Sequence, residues 1–338
     1  MDSTSALLGS VVCRRAHFDA PWFSEWETLL QRASAGGPGA TPEHVRYHRK
    51  IWEWVVIAQA LQERGMLAEG RRGCGFAVGR EPLASLFANR GVEILGTDLG
   101  VAAGNSTAAW DATGQHAASL DALHWPGLID RADFDARVRF MPQDMRALRP
   151  AELGTFDFLW SSCSLEHLGT LEAGIQFVLR SSELLRPGGI AVHTTEFNLS
   201  ARDNTVSVGD NVLYRGRDID DLAHRLRLIG CAMERFDDFA GTDAEDIDYD
   251  YEPFYTHGRQ HLKLMLSGHV STSCLLIITK GRYPGVLPAM SALKLGADST
   301  APFQGSAARR AVAALRGSPL WRLAAPLRGP IRALLGRR

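Results

Sequence analysis

The residues able to do chemistry gather in short polar runs, each following an apolar stretch. In RGCGFAVGREPL, Gly73, Gly75 and Gly79 let a backbone turn tightly and approach a ligand closely, and Pro82 can open a helix. Asp98 and Leu99 end the next apolar stretch, VEILGTD, with Asp98 standing 19 residues beyond Gly79. An acid at that point is placed to accept hydrogen bonds from a ribose diol. Asp144 and Met145 follow VRFMPQ, where a carboxylate can accept from an adenine amino group while the thioether packs on the ring. The run SSCSLEH, Ser161 to His167, ends FDFLWSS. Glu81 starts the helix after the glycine turn, where a carboxylate repels a diphosphate but tolerates or pairs with a cation. That argues against a nicotinamide cofactor, although an acid in a first helical turn is also favoured by the helix dipole alone.

His167, His193 and Glu196 are the candidates for moving a proton. His167 follows Glu166 directly, and a carboxylate neighbour raises an imidazole pKa. The competing reading makes His167 a helix-start histidine that ties the fold together and His193, inside an apolar run, a hydrogen-bonded core residue. Glu196 and Asn198 fall nearer a strand end and suit substrate better.

These runs need elements to hold them at one rim. RGCGF, VEILGTD, VRFMPQD, FDFLWSS and IAVHTTEF read as strands; LASLFANRG, LEAGIQFVLRSSELL and DIDDLAHRLRLIG read as helices, the second stopped by Arg186-Pro187-Gly188-Gly189. Strands alternating with helices predict a doubly wound α/β sheet, mostly parallel, with ligands at the carboxyl ends of the strands. MERFDDF and TSCLLIITKG predict an antiparallel C-terminal edge hairpin. Upstream, Thr41-Pro42-Glu43 reads as the start of a helix with apolar residues at 51, 54, 55, 58 and 61. Trp22, Phe23, Trp26, Trp52, Trp54, Trp110 and Trp125 fall outside the strands, available to lid a ligand or stack on a sugar if they are not core. Of these, Trp110 and Trp125 sit in a polar insertion and are the least expected in a core.

GFAVGREPL, ILGTDL, QDM, FDFLWSSCSLEHLG and ELLRPGGIAVHTTEFN together resemble the motifs of class I S-adenosylmethionine-dependent methyltransferases, over about residues 45–280. The resemblance implies a seven-stranded Rossmann-like sheet holding S-adenosyl-L-methionine. Ala77, Val78 and Gly79 would then pass under the methionine part, Asp98 would hold the ribose hydroxyls, Asp144 and Met145 would flank the adenine, and Ser161 and Ser162 would sit near the transferred methyl, with Gly75, Glu81 and Leu99 also among the cofactor-binding residues. The family's GxGxG turn aligns either with Gly75-Phe76-Ala77-Val78-Gly79 or with Ala77-Val78-Gly79-Arg80-Glu81. In some relatives Glu-x-x-Glu-His binds a divalent ion, but here Cys163 replaces the first Glu and two ligands remain, so no metal is expected. Asp246, Asp248 and Asp250 resemble half an EF-hand loop without its Gly or terminal Glu, and are read as a solvated acidic loop. His257, Arg259 and His261 beyond it are placed to close an acceptor pocket.

The 338 residues carry 45 % hydrophobic and 22 % charged residues, which excludes wholesale disorder, collagen and coiled coil. Five scattered cysteines without a CxxC suit a reducing compartment, and no signal peptide is read, so a cytoplasmic protein is expected. The net charge of −1 hides a segregation: residues 309–338 hold eight arginines and no acid, so the remainder is acidic and nucleic acid is not an expected partner. The expected organisation is an N-terminal extension (1–44), a cofactor-binding domain (45–285, with an insertion at 100–135), a linker (286–306) and a basic amphipathic tail (307–338). The tail suits an anionic inner membrane face, a glycosyltransferase partner or the acidic body of its own chain. Its SPLWRLAAPLR resembles tails of bacterial glycan-assembly glycosyltransferases and associated methyltransferases. The reading is O-methylation of a sugar hydroxyl on a surface glycan or glycolipid. The alternatives are methylation of a small phenol or carboxylate, and a non-catalytic scaffold for glycan-assembly enzymes.

Overall fold

The computed structural model describes residues 7–34, 46–99, 117 and 119–281, all within the compact unit Met1–Leu287. The expected linker and tail, Trp110 and the Thr41-Pro42-Glu43 start lie outside the described residues.

Each apolar run before a polar stop forms a strand: β2 (Arg72–Phe76), β3 (Glu93–Asp98), β4 (Val138–Pro142), β5 (Phe156–Ser161) and β6 (Leu185–Asn198). These five pair in parallel in the order β4-β3-β2-β5-β6. The winding reverses between β2 and β5, which makes their carboxyl ends the crevice of the sheet. Arg186-Pro187-Gly188-Gly189 does not stand as a separate turn. It forms the irregular start of β6, where the pairing register with β5 shifts between Phe156 and Phe158.

Four short strands and one long one complete the sheet: β1 (Ser10–Val12), β7 (Cys231–Met233), β8 (Phe236–Asp237), β9 (Leu264–Leu266) and β10 (His269–Lys280). The sheet therefore has ten strands where seven were expected. β10 runs antiparallel to β6, as expected of the last strand, but it is not an edge. β1 pairs with its other side and β8 pairs with β1, while β7 and β9 pair with the two ends of β10. The run SCLLII explains this: β10 is buried on both faces from Ser271 to Ile278, which suits a covered strand and not a rim.

Helices cover both faces. On one, α1 (Pro21–Ser34) packs on α2 (Arg49–Glu63), and α2 lies against β6 and β10; α3 (Leu83–Ala88) follows the glycine turn. On the other, the helix Leu171–Ser181 sets Phe177 edge-on to Phe76 at 5.1 Å. α2 begins at Arg49, and His48 is its cap, its Nδ1 accepting from the Lys50 N–H at 3.0 Å. Phe23, Trp26, Trp52, Trp54 and Trp125 are core residues, so the tryptophans at 26, 52, 54 and 125 are not free to lid a ligand. Trp125 enters the core because Ser85 Oγ accepts its backbone N–H and donates to the Leu123 carbonyl.

Candidate active site at the strand ends

The turn after β2 is left-handed at two residues, Ala77 (φ +47°) and Gly79 (φ +52°). That backbone matches the alignment Gly75-Phe76-Ala77-Val78-Gly79, with alanine where glycine is the easier residue. Gly73 and Gly75 serve packing: a methyl on either would overlap Phe158 or Trp160 of β5. Val78 is buried, its side chain against Gly75 and Gly96. Gly79 N–H donates to Asp98 Oδ2 at 3.0 Å, which ties the turn to the end of β3.

The Asp98 carboxylate is buried and also accepts from Leu99 N–H at 2.7 Å and Ala117 N–H at 3.0 Å. A ribose diol at this acid would share it with the backbone of the insertion. Asp144 caps the turn that follows it, accepting from Arg146 N–H at 2.8 Å and pairing with its guanidinium at 2.9 Å, while Met145 is buried. The Asp98 carbonyl accepts from Gln143 N–H at 2.8 Å, so the ends of β3 and β4 sit side by side.

Glu81 is buried at the start of α3 and its Oε1 accepts from Trp160 Nε1 at 2.7 Å. Burial pushes its pKa up to about 8, against the Trp160 hydrogen bond and the Lys50 charge. Among the described residues no ion pair is made to Glu81, and a ligand carrying an ammonium or sulfonium supplies a cation closer than Lys50. This donor set, beside the left-handed turn, fits S-adenosylmethionine.

Next to it, α2 and β10 bring in groups that the sequence reading did not single out. Glu53 Oε2 accepts from Lys50 Nζ at 2.8 Å and Ser162 Oγ at 3.2 Å; its Oε1 accepts from Ser273 Oγ at 2.5 Å. Arg49 pairs with Glu196, which also accepts from Ser271 Oγ at 3.3 Å. Burial alone would raise Glu53, but the Lys50 and Arg49 charges outweigh it and hold it at about 2. A sequence signal existed: RKIWEWVV sets Arg49, Lys50 and Glu53 into a helix otherwise apolar almost all round.

Strand alternation separates the remaining candidates. Ser161 and His193 point to the Phe177 face, away from Glu53, with Ser161 Oγ 2.8 Å from His193 Nδ1. Burial drives the His193 pKa down to about 3, and the ring is sealed in the core, which removes it as an acid or base for an acceptor. His167 donates from Nδ1 to the Asp210 carbonyl at 2.6 Å. Its pKa falls to about 4 instead of rising, because burial and the Lys50 and Arg49 charges outweigh the hydrogen bond to Asp210.

The acidic loop is not simply solvated. Asp246 and Asp250 are buried: Asp246 accepts from Arg15 N–H at 2.8 Å and lies 3.6 Å from the buried Lys263 ammonium, and Asp250 holds His261. Asp248 pairs with Arg259. His257 stacks on Tyr251 at 4.0 Å, away from the His261 ring. Cys163 (φ +42°), Glu166 and Glu196 bring three groups of metal-ligating type within 4.8 Å of one another, with Arg49 already on Glu196. Glu166 is pushed up by burial and by Glu196, and it accepts from Thr195 Oγ1 at 2.8 Å. All five cysteines are free, and among the described residues no helix is long and apolar enough to cross a membrane.

Residues 73–193, from β2 to the middle of β6, match the family described as "Methyltransferase domain". No curated protein is significantly similar in sequence. Among solved structures, the chain is similar to magnesium protoporphyrin IX methyltransferase from Synechocystis PCC 6803 with bound SAH (13 % identity, TM-score 0.41, 79 % of this chain and 98 % of that one). It is similar to an S-adenosylmethionine-dependent methyltransferase from Mesorhizobium loti (16 %, TM-score 0.37, 66 % and 98 %). A third is phosphoethanolamine N-methyltransferase 2 of Haemonchus contortus in complex with S-adenosyl-L-methionine (14 %, TM-score 0.42, 79 % and 60 %). At these identities their acceptors do not transfer to this chain. The family match, the parallel strands β2 to β6 and the turn-and-acid sequence at their ends make residues 73–193 a methyltransferase domain of the class I S-adenosylmethionine-dependent type.

Proposed function

We propose that the protein methylates a hydroxyl oxygen of a sugar, on a surface glycan or glycolipid, with S-adenosyl-L-methionine as donor. The observation that carries this reading is the polar group beside the cofactor turn: Arg49, Lys50, Glu53, Ser162, Glu196, Ser271 and Ser273. A polyhydroxylated acceptor can exchange several hydrogen bonds with such groups, whereas a plain phenol offers them a single hydroxyl. The exposed rings of Tyr251 and Tyr255 add apolar surface of the kind sugars stack on.

When bound, the cofactor supplies a methyl already activated by its sulfonium, so the protein's share is chiefly alignment and exclusion of water. In this reading the Ala77–Gly79 backbone and Glu81 hold the cationic end, Asp98 and Leu99 the ribose, and Asp144 and Met145 the adenine. Ser162 and Glu196 face the acceptor. What supports the reading is that each of these residues lies at or just beyond the carboxyl end of one of the strands β2 to β6.

The test pairs calorimetry with S-adenosylhomocysteine and mass spectrometry of methyl transfer to methyl glycosides, a phenol and a carboxylate. Transfer to a glycoside is expected. Cofactor binding with transfer only to the phenol or carboxylate, or to nothing, rejects the sugar reading.

A further inference from the structure

The segment between β8 and β9 carries an imidazole that none of the strand-end motifs predicts to be chemical. His261 Nδ1 lies 2.9 Å from Asp250 Oδ2, and Asp250 is fully buried. The carboxylate is itself fixed: it accepts from the backbone N–H of Tyr251 at 3.0 Å and of Tyr255 at 3.2 Å. The His261 ring packs against two others, His48 at 4.7 Å and Tyr255 at 4.3 Å, which also stack on each other at 5.9 Å. Its backbone is pinned to the acceptor side, since its carbonyl accepts from Arg49 N–H at 3.0 Å, and Arg49 is the residue paired with Glu196.

The other candidate bases are spoken for: Glu196 is paired with Arg49. His193 is sealed in the core, and His167 points its Nδ1 at the Asp210 carbonyl. His48 uses one ring nitrogen as a helix cap and the other on Tyr255 Oη at 3.0 Å. His261 uses Nδ1 on Asp250, and among the described residues no hydrogen bond is made to its Nε2. A carboxylate on Nδ1 fixes the tautomer whose Nε2 carries a lone pair, and it steadies the cation formed when that lone pair takes a proton.

Resting on the O-methylation reading above, we propose that His261, oriented by Asp250, is the base that deprotonates the acceptor hydroxyl. The acceptor O–H bond breaks and its proton goes to Nε2. The oxygen lone pair forms the new C–O bond while the methyl–sulfur bond breaks with its electron pair left on sulfur. The imidazolium then returns its proton to solvent, and the products are a methyl ether and S-adenosylhomocysteine. Burial, with Arg49 adding to it and Asp250 opposing it, holds His261 below the usual imidazole range, so the ring is neutral and able to accept near neutral pH. The groups that face it are Asp250, His48, Tyr255, Arg49 and Glu53.

Two measurements on the full chain decide it. In nitrogen-15 NMR with S-adenosylhomocysteine bound, His261 is expected as the Nδ1-protonated tautomer, titrating below free histidine; the Nε2-protonated tautomer overturns the proposal. In transfer to the methyl glycosides, His261→Ala is expected to lower kcat by about 100-fold or more, leave affinity for S-adenosylhomocysteine unchanged, and recover part of the rate with added imidazole. A wild-type kcat, or a change in KM alone, overturns it. If the unaltered protein methylates no glycoside, the sugar reading fails separately, and the tautomer still decides the role of His261.

Discussion

At the scale of single residues, Glu81 is the most informative group in the site. A first-turn acid is commonplace, but this one is buried, bonded to Trp160, and holds its proton up to about 8. The folded chain therefore keeps a proton between about 4.5 and about 8 that the unfolded chain gives up. The stability tied to that proton is complete below the unfolded value and is lost as pH rises through the folded one. Glu81→Gln, which keeps an oxygen for Trp160, is expected to gain thermal stability over the unaltered protein progressively across that window and to bind S-adenosylmethionine more weakly. Melting curves across the window check the first part and calorimetry the second; a constant stability difference would mean that Glu81 is already ionised in the folded chain.

At the scale of elements, the turn after β2 and the strand before it ask opposite things of small residues. Ala77 occupies left-handed backbone, which costs an L-residue roughly 1–2 kcal/mol, so Ala77→Gly is expected to cost nothing or to stabilise by up to about 1 kcal/mol. Gly75→Ala forces a methyl into Trp160 and Val78 and is expected to destabilise by about 1–3 kcal/mol. Urea unfolding of the two variants checks both signs. This contrast also marks what the sequence made legible. Strands β2 to β6 were readable because each is an apolar run cut by a polar residue at the rim. The role of Gly75 was not, because Trp160 faces it from a strand that pairs across the reversal of the sheet. Glu53 was hidden for the same kind of reason, since the Ser273 that binds it lies 220 residues away. Asp246 and Asp250 looked like surface acids because Lys263 and His261, which bury them, carry no helical or strand spacing relative to them.

At the scale of the whole molecule, charge is divided as sharply as structure. The tail holds eight arginines and no acid, while the remainder is acidic, with nine acids between Glu234 and Glu252. Attraction of such a tail to anionic lipid is worth about 1 kcal/mol per basic residue near the surface and weakens with salt. Removal of residues 307–338 is expected to abolish sedimentation with phosphatidylserine vesicles at low salt and to leave S-adenosylhomocysteine binding unchanged. Absence of sedimentation by the complete chain would reject membrane contact.

The placement of β1 between β10 and β8 bears on how the molecule is made. Ser10 Oγ accepts from the Ile277 backbone N–H across 267 positions of chain. During synthesis β1 leaves the ribosome long before β8 and β10, the two strands it joins, have emerged. Contacts so distant in sequence close late and slowly. Until then the partly made protein exposes the side of β6 that β10 later covers, and that interval is when a chaperone has most to protect.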